Sequence, residues 1–100
     1  MKLRFADAAR RELQEAAIYL ETEGNGLGMR FLDAVGAARK QILVAPLAWH
    51  PLGQGLRRCH LKRFRYGLIY RIRGQLIEII AVAHDSRRPG YWKTRLRNNH

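Results

Sequence analysis

The sequence predicts an α+β domain: an N-terminal strand and an antiparallel helical hairpin packed on a small antiparallel sheet, in the order β-α-α-β-β-β. Three observations carry this. Apolar residues recur at helical spacing from Ala9 to Leu43, broken only at Gly24-Asn25-Gly26. Beyond Pro46 and Pro51 the period changes to short runs rich in Leu, Ile and Tyr. The last two runs are joined by Arg73-Gly74-Gln75, which has the composition of a tight hairpin. At 100 residues the chain reads as a single domain, residues 1–100.

The elements follow in order. Lys2 to Phe5 alternates polar and apolar, as a short strand does. Asp7 offers an N-cap carboxylate. Ala9, Leu13, Ala16, Ala17 and Leu20 then form one helical stripe, with Arg10, Arg11, Glu12, Gln14 and Glu15 filling the remaining surface. The helix ends near Gly24-Asn25-Gly26, where glycine can take the left-handed C-cap conformation. A second helix buries Leu27, Phe31, Val35, Ala38 and Ile42, and Pro46 stops it. So short a link predicts an antiparallel hairpin. Pro51 to Gly55 reads as a loop. Strands are expected at Leu56–Phe64, Tyr66–Arg73 and Leu76–His84. The last is the most apolar and is expected in the sheet centre. Strict alternation would place Ile77, Ile79, Ala81 and Ala83 on one face and Leu76, Glu78, Ile80 and Val82 on the other. In the basic tail, Asp85 to His100, Pro89-Gly90 makes a turn and Tyr91 to Arg97 a possible short helix. The sheet face away from the helices is expected to carry much of the charge.

Composition narrows the function. The chain is 47% hydrophobic, enough for a modest core. Cys59 is the single cysteine, which excludes a disulfide scaffold. One Cys and four scattered His fit no familiar zinc spacing, so neither metal nor other cofactor is expected. The N-terminus has no apolar signal region, and the run Leu76–Ala83 falls far short of the roughly 20 residues of a membrane helix. A cytoplasmic protein without a membrane partner is the expectation. Nineteen Lys and Arg against eight Asp and Glu give +11. Residues 1–50 contribute 7 − 6 = +1 and residues 51–100 contribute 12 − 2 = +10. Such segregation favours a polyanionic partner.

Five segments in fixed order carry a family resemblance. They are Ala8-Ala9-Arg10-Arg11-Glu12-Leu13 with Gly26-Leu27-Gly28-Met29-Arg30-Phe31-Leu32-Asp33, then Leu56-Arg57-Arg58, then Phe64 to Arg71, then Ala81 to Trp92. The last of these is the most specific. Over nearly its whole length the chain resembles the RelE/ParE superfamily of toxins from toxin–antitoxin, or plasmid stabilisation, systems. The resemblance implies a cognate antitoxin and growth arrest when the toxin is free. Members resembling RelE cleave mRNA in the ribosome; members resembling ParE inhibit DNA gyrase and are not nucleases. The ending Arg87-Arg88-Pro89-Gly90-Tyr91-Trp92 looks more like the ParE branch.

Two chemistries fit the residues. Metal-free RNA cleavage needs a base, an acid for the leaving oxygen, and positive charge on the phosphate. His84 is the candidate base. Tyr91 is the candidate acid and Arg87 the phosphate ligand. A gyrase inhibitor needs only a shaped charged surface, for which Lys62, Arg63, Arg71, Arg87, Arg88 and Trp92 are the candidates. Plain structural roles compete with each. His84 can cap a strand end; Tyr91 and Trp92 can plug the sheet; Arg63 and Arg71 can protect strand edges. Glu78 reads as the ion-pair partner of a sheet arginine, and Cys59 as a small packing residue. The missing obvious base favours gyrase inhibition, with ribosome-dependent mRNA cleavage as the alternative. A non-catalytic RNA-binding accessory domain is a third reading, though it lacks the usual aromatic platform. Both toxin readings expect an acidic antitoxin that folds on the basic half.

Overall fold

The computed structural model describes residues 1–97. The final three positions of the basic tail, including His100, lie outside the described residues. The elements are β1 (Lys2–Phe5), α1 (Asp7–Glu23), α2 (Leu27–Val44), β2 (His50–Gly53), β3 (Leu56–His60), β4 (Tyr66–Arg73) and β5 (Leu76–His84). A 3-10 turn, Tyr91–Lys93, and a one-turn helix α3, Thr94–Arg97, follow. One sheet holds all five strands in the order β1-β5-β4-β3-β2. This is the α+β architecture the sequence predicts.

Several details differ from the sequence reading. The segment read as a loop at Pro51–Gly55 is mostly β2, an exposed edge strand paired antiparallel with β3 through a turn at Gln54-Gly55. Its Pro51 is tolerated because an edge strand has one unbonded side. The strand expected over Leu56–Phe64 stops at His60, where a turn closed by Leu61 N–H donating to Tyr66 O begins. The sheet is mixed, because β1 joins β5 in parallel, with Leu3 beside Ile77 and Phe5 beside Ile79. Asp7 is not the N-cap; Ala6 holds that position with no side-chain bond, and Asp7 lies in the first turn, where its charge suits the helix dipole.

The helical hairpin closes tightly. Gly24 is extended, and Gly26 takes the left-handed conformation at φ 85° as the N-cap of α2. The Glu21 carboxylate accepts from Gly26 N–H at 3.0 Å and Gly28 N–H at 2.9 Å, so α1 caps α2. Those bonds hold Glu21 below the usual carboxylate range. A β-carbon on Gly28 would sit 2.7 Å from Ala17 O, so glycine here sets the closeness of the helices.

The main core lies between the hairpin and one sheet face. Phe31, Val35, Ala38 and Ile42 meet Leu68, Tyr70, Ile77 and Ile79. Each fully buried large side chain there contributes roughly 1.5–3 kcal/mol. Cys59 is buried in the same core, and burial pushes its thiol up to about 11. The Tyr70 hydroxyl donates to Pro46 O and Arg57 to Trp49 O, which pins the crossover from α2 to β2.

The second face is not simply charged. It carries its own small core of Leu56, Ile69, Ile80, Ala81 and Ala83 under Trp92. A bulge explains this. Ile69 pairs with Ala81 but Tyr70 pairs with Ile79, so Ile80 is an extra residue in β5. Strict alternation therefore fails: Ile77, Ile79 and Val82 face the helices, whereas Ile80, Ala81 and Ala83 face Trp92. Among the described residues, no helix is long and apolar enough to cross a membrane.

Candidate functional site

The predicted residues divide into three groups. The first lies where β5 leaves the sheet. His84 pairs with Tyr66 across the strands, and its ring meets the Tyr66 ring edge-on at 4.9 Å. Tyr66 in turn packs on Phe31 at 5.0 Å, so the core anchors His84. His84 Nδ1 accepts from Ser86 N–H at 3.0 Å and lies 2.8 Å from Ser86 Oγ. An accepting Nδ1 places the proton of the neutral ring on Nε2. His84 and Arg87 share a cleft of about 260 Å³ with Glu12, Glu15, Tyr19 and Tyr66.

Tyr91 stands next to this cleft but faces inward. Its hydroxyl donates to Glu12 Oε2 at 2.6 Å. Arg87 stacks its guanidinium 4.0 Å from the Tyr91 ring centroid. Glu12 is the hub. It also accepts from Arg95 at 2.8 and 2.9 Å and from Val82 N–H at 3.0 Å. Arg95 reaches further, donating to Ile80 O at 2.8 Å. Burial pushes the Glu12 carboxyl up, but the bonds from Arg95, Tyr91 and Val82 outweigh it and hold the group below its usual value. Burial, then the Glu12 bond, push the Tyr91 phenol well above its usual value.

The hub has a structural logic. β1 ends at Phe5, so it pairs only with Leu76 to Ile79 of β5. The rest of that strand's outer edge would be open. Glu12 supplies an acceptor to Val82 and Arg95 a donor to Ile80, completing the edge with side chains. Sequence reading placed Glu12 on the solvated face and passed over Arg95. The available signal was Glu12 lying three residues after Ala9 and four before Ala16, two small residues that let α1 approach β5 closely.

The second group is a loop cluster. Lys62 and Arg63 lie in the β3–β4 turn, Arg63 with a left-handed φ of 67°, and Arg88 lies beyond β5. The two loops are tied together by Asp85 N–H donating to Arg65 O at 2.8 Å. Arg65, missed in the sequence reading, belongs here. Asp85 is engaged by Arg58 at 3.0 Å, with His60 Nδ1 3.7 Å away.

The third group stands apart. Arg71 is 17% exposed and bonds Glu78, as Arg4 does, both at 3.1 Å. Glu78 is thus the ion-pair partner the sequence suggested. Burial raises its carboxyl, and the Arg4 and Arg71 bonds overcome this. Trp92 is 5% exposed and occupies the packing-plug position under the second core. Neither joins the surface formed by Lys62, Arg63, Arg87 and Arg88.

Comparison with known proteins agrees with this architecture. The matching family model is described as the ParE toxin of type II toxin–antitoxin systems, parDE, and covers residues 3–89. Two curated relatives, each called toxin ParE2 and from Mycobacterium tuberculosis strains CDC 1551 / Oshkosh and ATCC 25618 / H37Rv, are 41% identical over 59 residues. That alignment takes in 59% of this chain and 53% of theirs, so it spans about half the length of the curated relatives. A solved structure from the chromosomal ParDE toxin–antitoxin system of P. aeruginosa superposes with TM-score 0.62 at 18% identity, covering 84% of this chain and 95% of that one. At that identity the likeness speaks for the fold.

Proposed function

Because the chain belongs to the ParE toxin family of type II toxin–antitoxin systems, we propose that it arrests growth, when free of its antitoxin, by inhibiting DNA gyrase. The observation that favours this over RNA cleavage is the Tyr91–Glu12 bond. The hydroxyl nominated as general acid is already donated inward, and its acidity is suppressed by burial and by the neighbouring carboxylate. What faces outward is cationic surface rather than a proton-transfer pair. Supercoiling by purified gyrase tests the proposal. Inhibition by the toxin supports it, and undisturbed supercoiling by protein that arrests growth in cells removes it.

The second reading is ribosome-dependent mRNA cleavage, supported by His84 and Arg87 lining one cleft. Primer extension on a translated reporter mRNA decides it: new 5′ ends that require ribosomes favour cleavage. The third reading, an RNA-binding accessory domain, finds less support, because Tyr66 and Trp92 are packed inward rather than displayed.

In either toxin reading the partner is an acidic antitoxin. Ile18 and Met29, 69% and 64% exposed on the helical hairpin, would suit an apolar antitoxin helix. The basic half would attract its acidic segment.

A further inference from the structure

Five cations, Lys62, Arg63, Arg65, Arg87 and Arg88, occupy the two adjoining loops at one end of the sheet, and all are exposed. Among the described residues none of the five forms an ion pair. The one acidic residue in those loops, Asp85, is engaged by Arg58. The sheet arginines Arg4, Arg71 and Arg73, by contrast, converge on Glu78. Exposed cations without an ion pair also occur on the helices, at Arg10, Arg11, Arg39 and Lys40, but these two loops gather five of them in two short segments held side by side.

The chemistry of the patch selects among anionic partners. A stable protein interface centres on desolvated aromatic or aliphatic anchors. Among the described residues, the large apolar side chains that are exposed lie on α1, on α2 and just after it, and at Met1 and Leu52, not in these two loops. A single-strand site needs open aromatic faces on which bases stack. Here the Tyr66 ring is held between Phe31 and His84, and Tyr91 carries Arg87 on its face; Tyr19 is exposed in the cleft with Arg87, but it stands alone on α1 and outside the two loops. Within the two loops, what remains is long cations without anchors or platforms, which suits regularly spaced phosphates. We infer that this end of the sheet binds the phosphodiester backbone of duplex DNA. The choice of DNA over RNA rests on the gyrase reading, since gyrase holds a DNA duplex; the phosphate-binding geometry does not.

Fluorescence anisotropy with a labelled DNA duplex, an RNA duplex of the same sequence and the DNA single strand tests this in the absence of gyrase. The expected result is DNA-duplex binding that weakens steeply with salt. The triple variant Lys62→Gln, Arg63→Gln, Arg88→Gln should bind about tenfold or more weaker and flatten the salt slope by roughly three charges. The charge-matched control Arg10→Gln, Arg39→Gln, Lys40→Gln changes other surfaces and should bind nearly as the parent does. Equal losses in both variants would reduce the effect to net charge and overturn the proposal. So would tighter binding to the single strand, or to the RNA duplex. A protein that binds the DNA duplex yet leaves supercoiling untouched removes the gyrase reading while this one stands.

Discussion

The Tyr91 hydroxyl donates to Glu12 Oε2 at 2.6 Å across 79 positions of sequence. That bond, with the paired bonds from Arg95, ties the segment after β5 to the first helix. It also fixes Arg87 indirectly, because the Arg87 guanidinium lies on the Tyr91 ring.

Glu12→Ala should cost about 1–3 kcal/mol, since it leaves the Val82 amide and the Tyr91 hydroxyl without their acceptor and Arg95 without its carboxylate. The loss should appear in urea melts. Hydrogen exchange should speed up at Val82 and over Tyr91–Lys93 before the sheet centre responds. Unchanged protection in that segment would mean the hub does not hold it.

Acid should destabilise the protein through Glu12 and Glu78. Both are held below their ordinary value of 4.5, so their contributions are fully present above about that pH. They are lost as pH falls through the lower folded-state values. Melts from pH 7 to pH 3 should show stability declining below about 4.5, and Glu12→Gln should show a shallower decline than the parent. Parallel curves for the two proteins would contradict the assignment.

Gly28→Ala should destabilise by about 1–3 kcal/mol, because the new methyl meets the Ala17 carbonyl at 2.7 Å, which is backbone and cannot rotate away. Gly36→Ala is the control. Nothing lies within 4 Å of its added carbon, so the melting temperature should hold or rise. Equal behaviour of the two variants would deny that close helix approach is the cause.

His84→Ala separates the two toxin mechanisms. It removes the edge-on ring contact with Tyr66, worth about 0.5–1.5 kcal/mol. Under the gyrase reading it should leave inhibition of supercoiling essentially intact. Under the nuclease reading it should abolish mRNA cleavage while antitoxin binding survives.

The helices were legible because their signals are local: the stripe Phe31, Val35, Ala38, Ile42 and the stop at Pro46 survive any tertiary context. β4 and β5 were legible from their apolar runs. β2 was not, because Pro51 and Gly53 read as turn residues and only its pairing with β3 makes it a strand. The bulge at Ile80 was hidden for a related reason. Alternation assumes one residue per step, and nothing in Ile79-Ile80-Ala81 marks the extra one. At the site, Arg87 shares a cleft with His84 and lies on the Tyr91 ring, while the Tyr91 hydroxyl turns inward to Glu12. Arg71 and Trp92 were grouped with the surface by composition alone, but the direction each side chain takes depends on the face of its element. Glu12 escaped because its partners lie 70 and more residues away.

The short β1 has a consequence for the order of assembly. Because β1 pairs only with Leu76 to Ile79, the rest of that edge is finished by Arg95 acting with Glu12. Synthesis proceeds from the N-terminus, so residue 12 waits for residue 95. A nascent chain that has completed the strands carries Lys62, Arg63 and Arg65 but has not yet locked the segment that orients Arg87. The tether makes maturation of that surface a late event, and a chain halted before Tyr91 should leave the Ile80 carbonyl without its Arg95 donor.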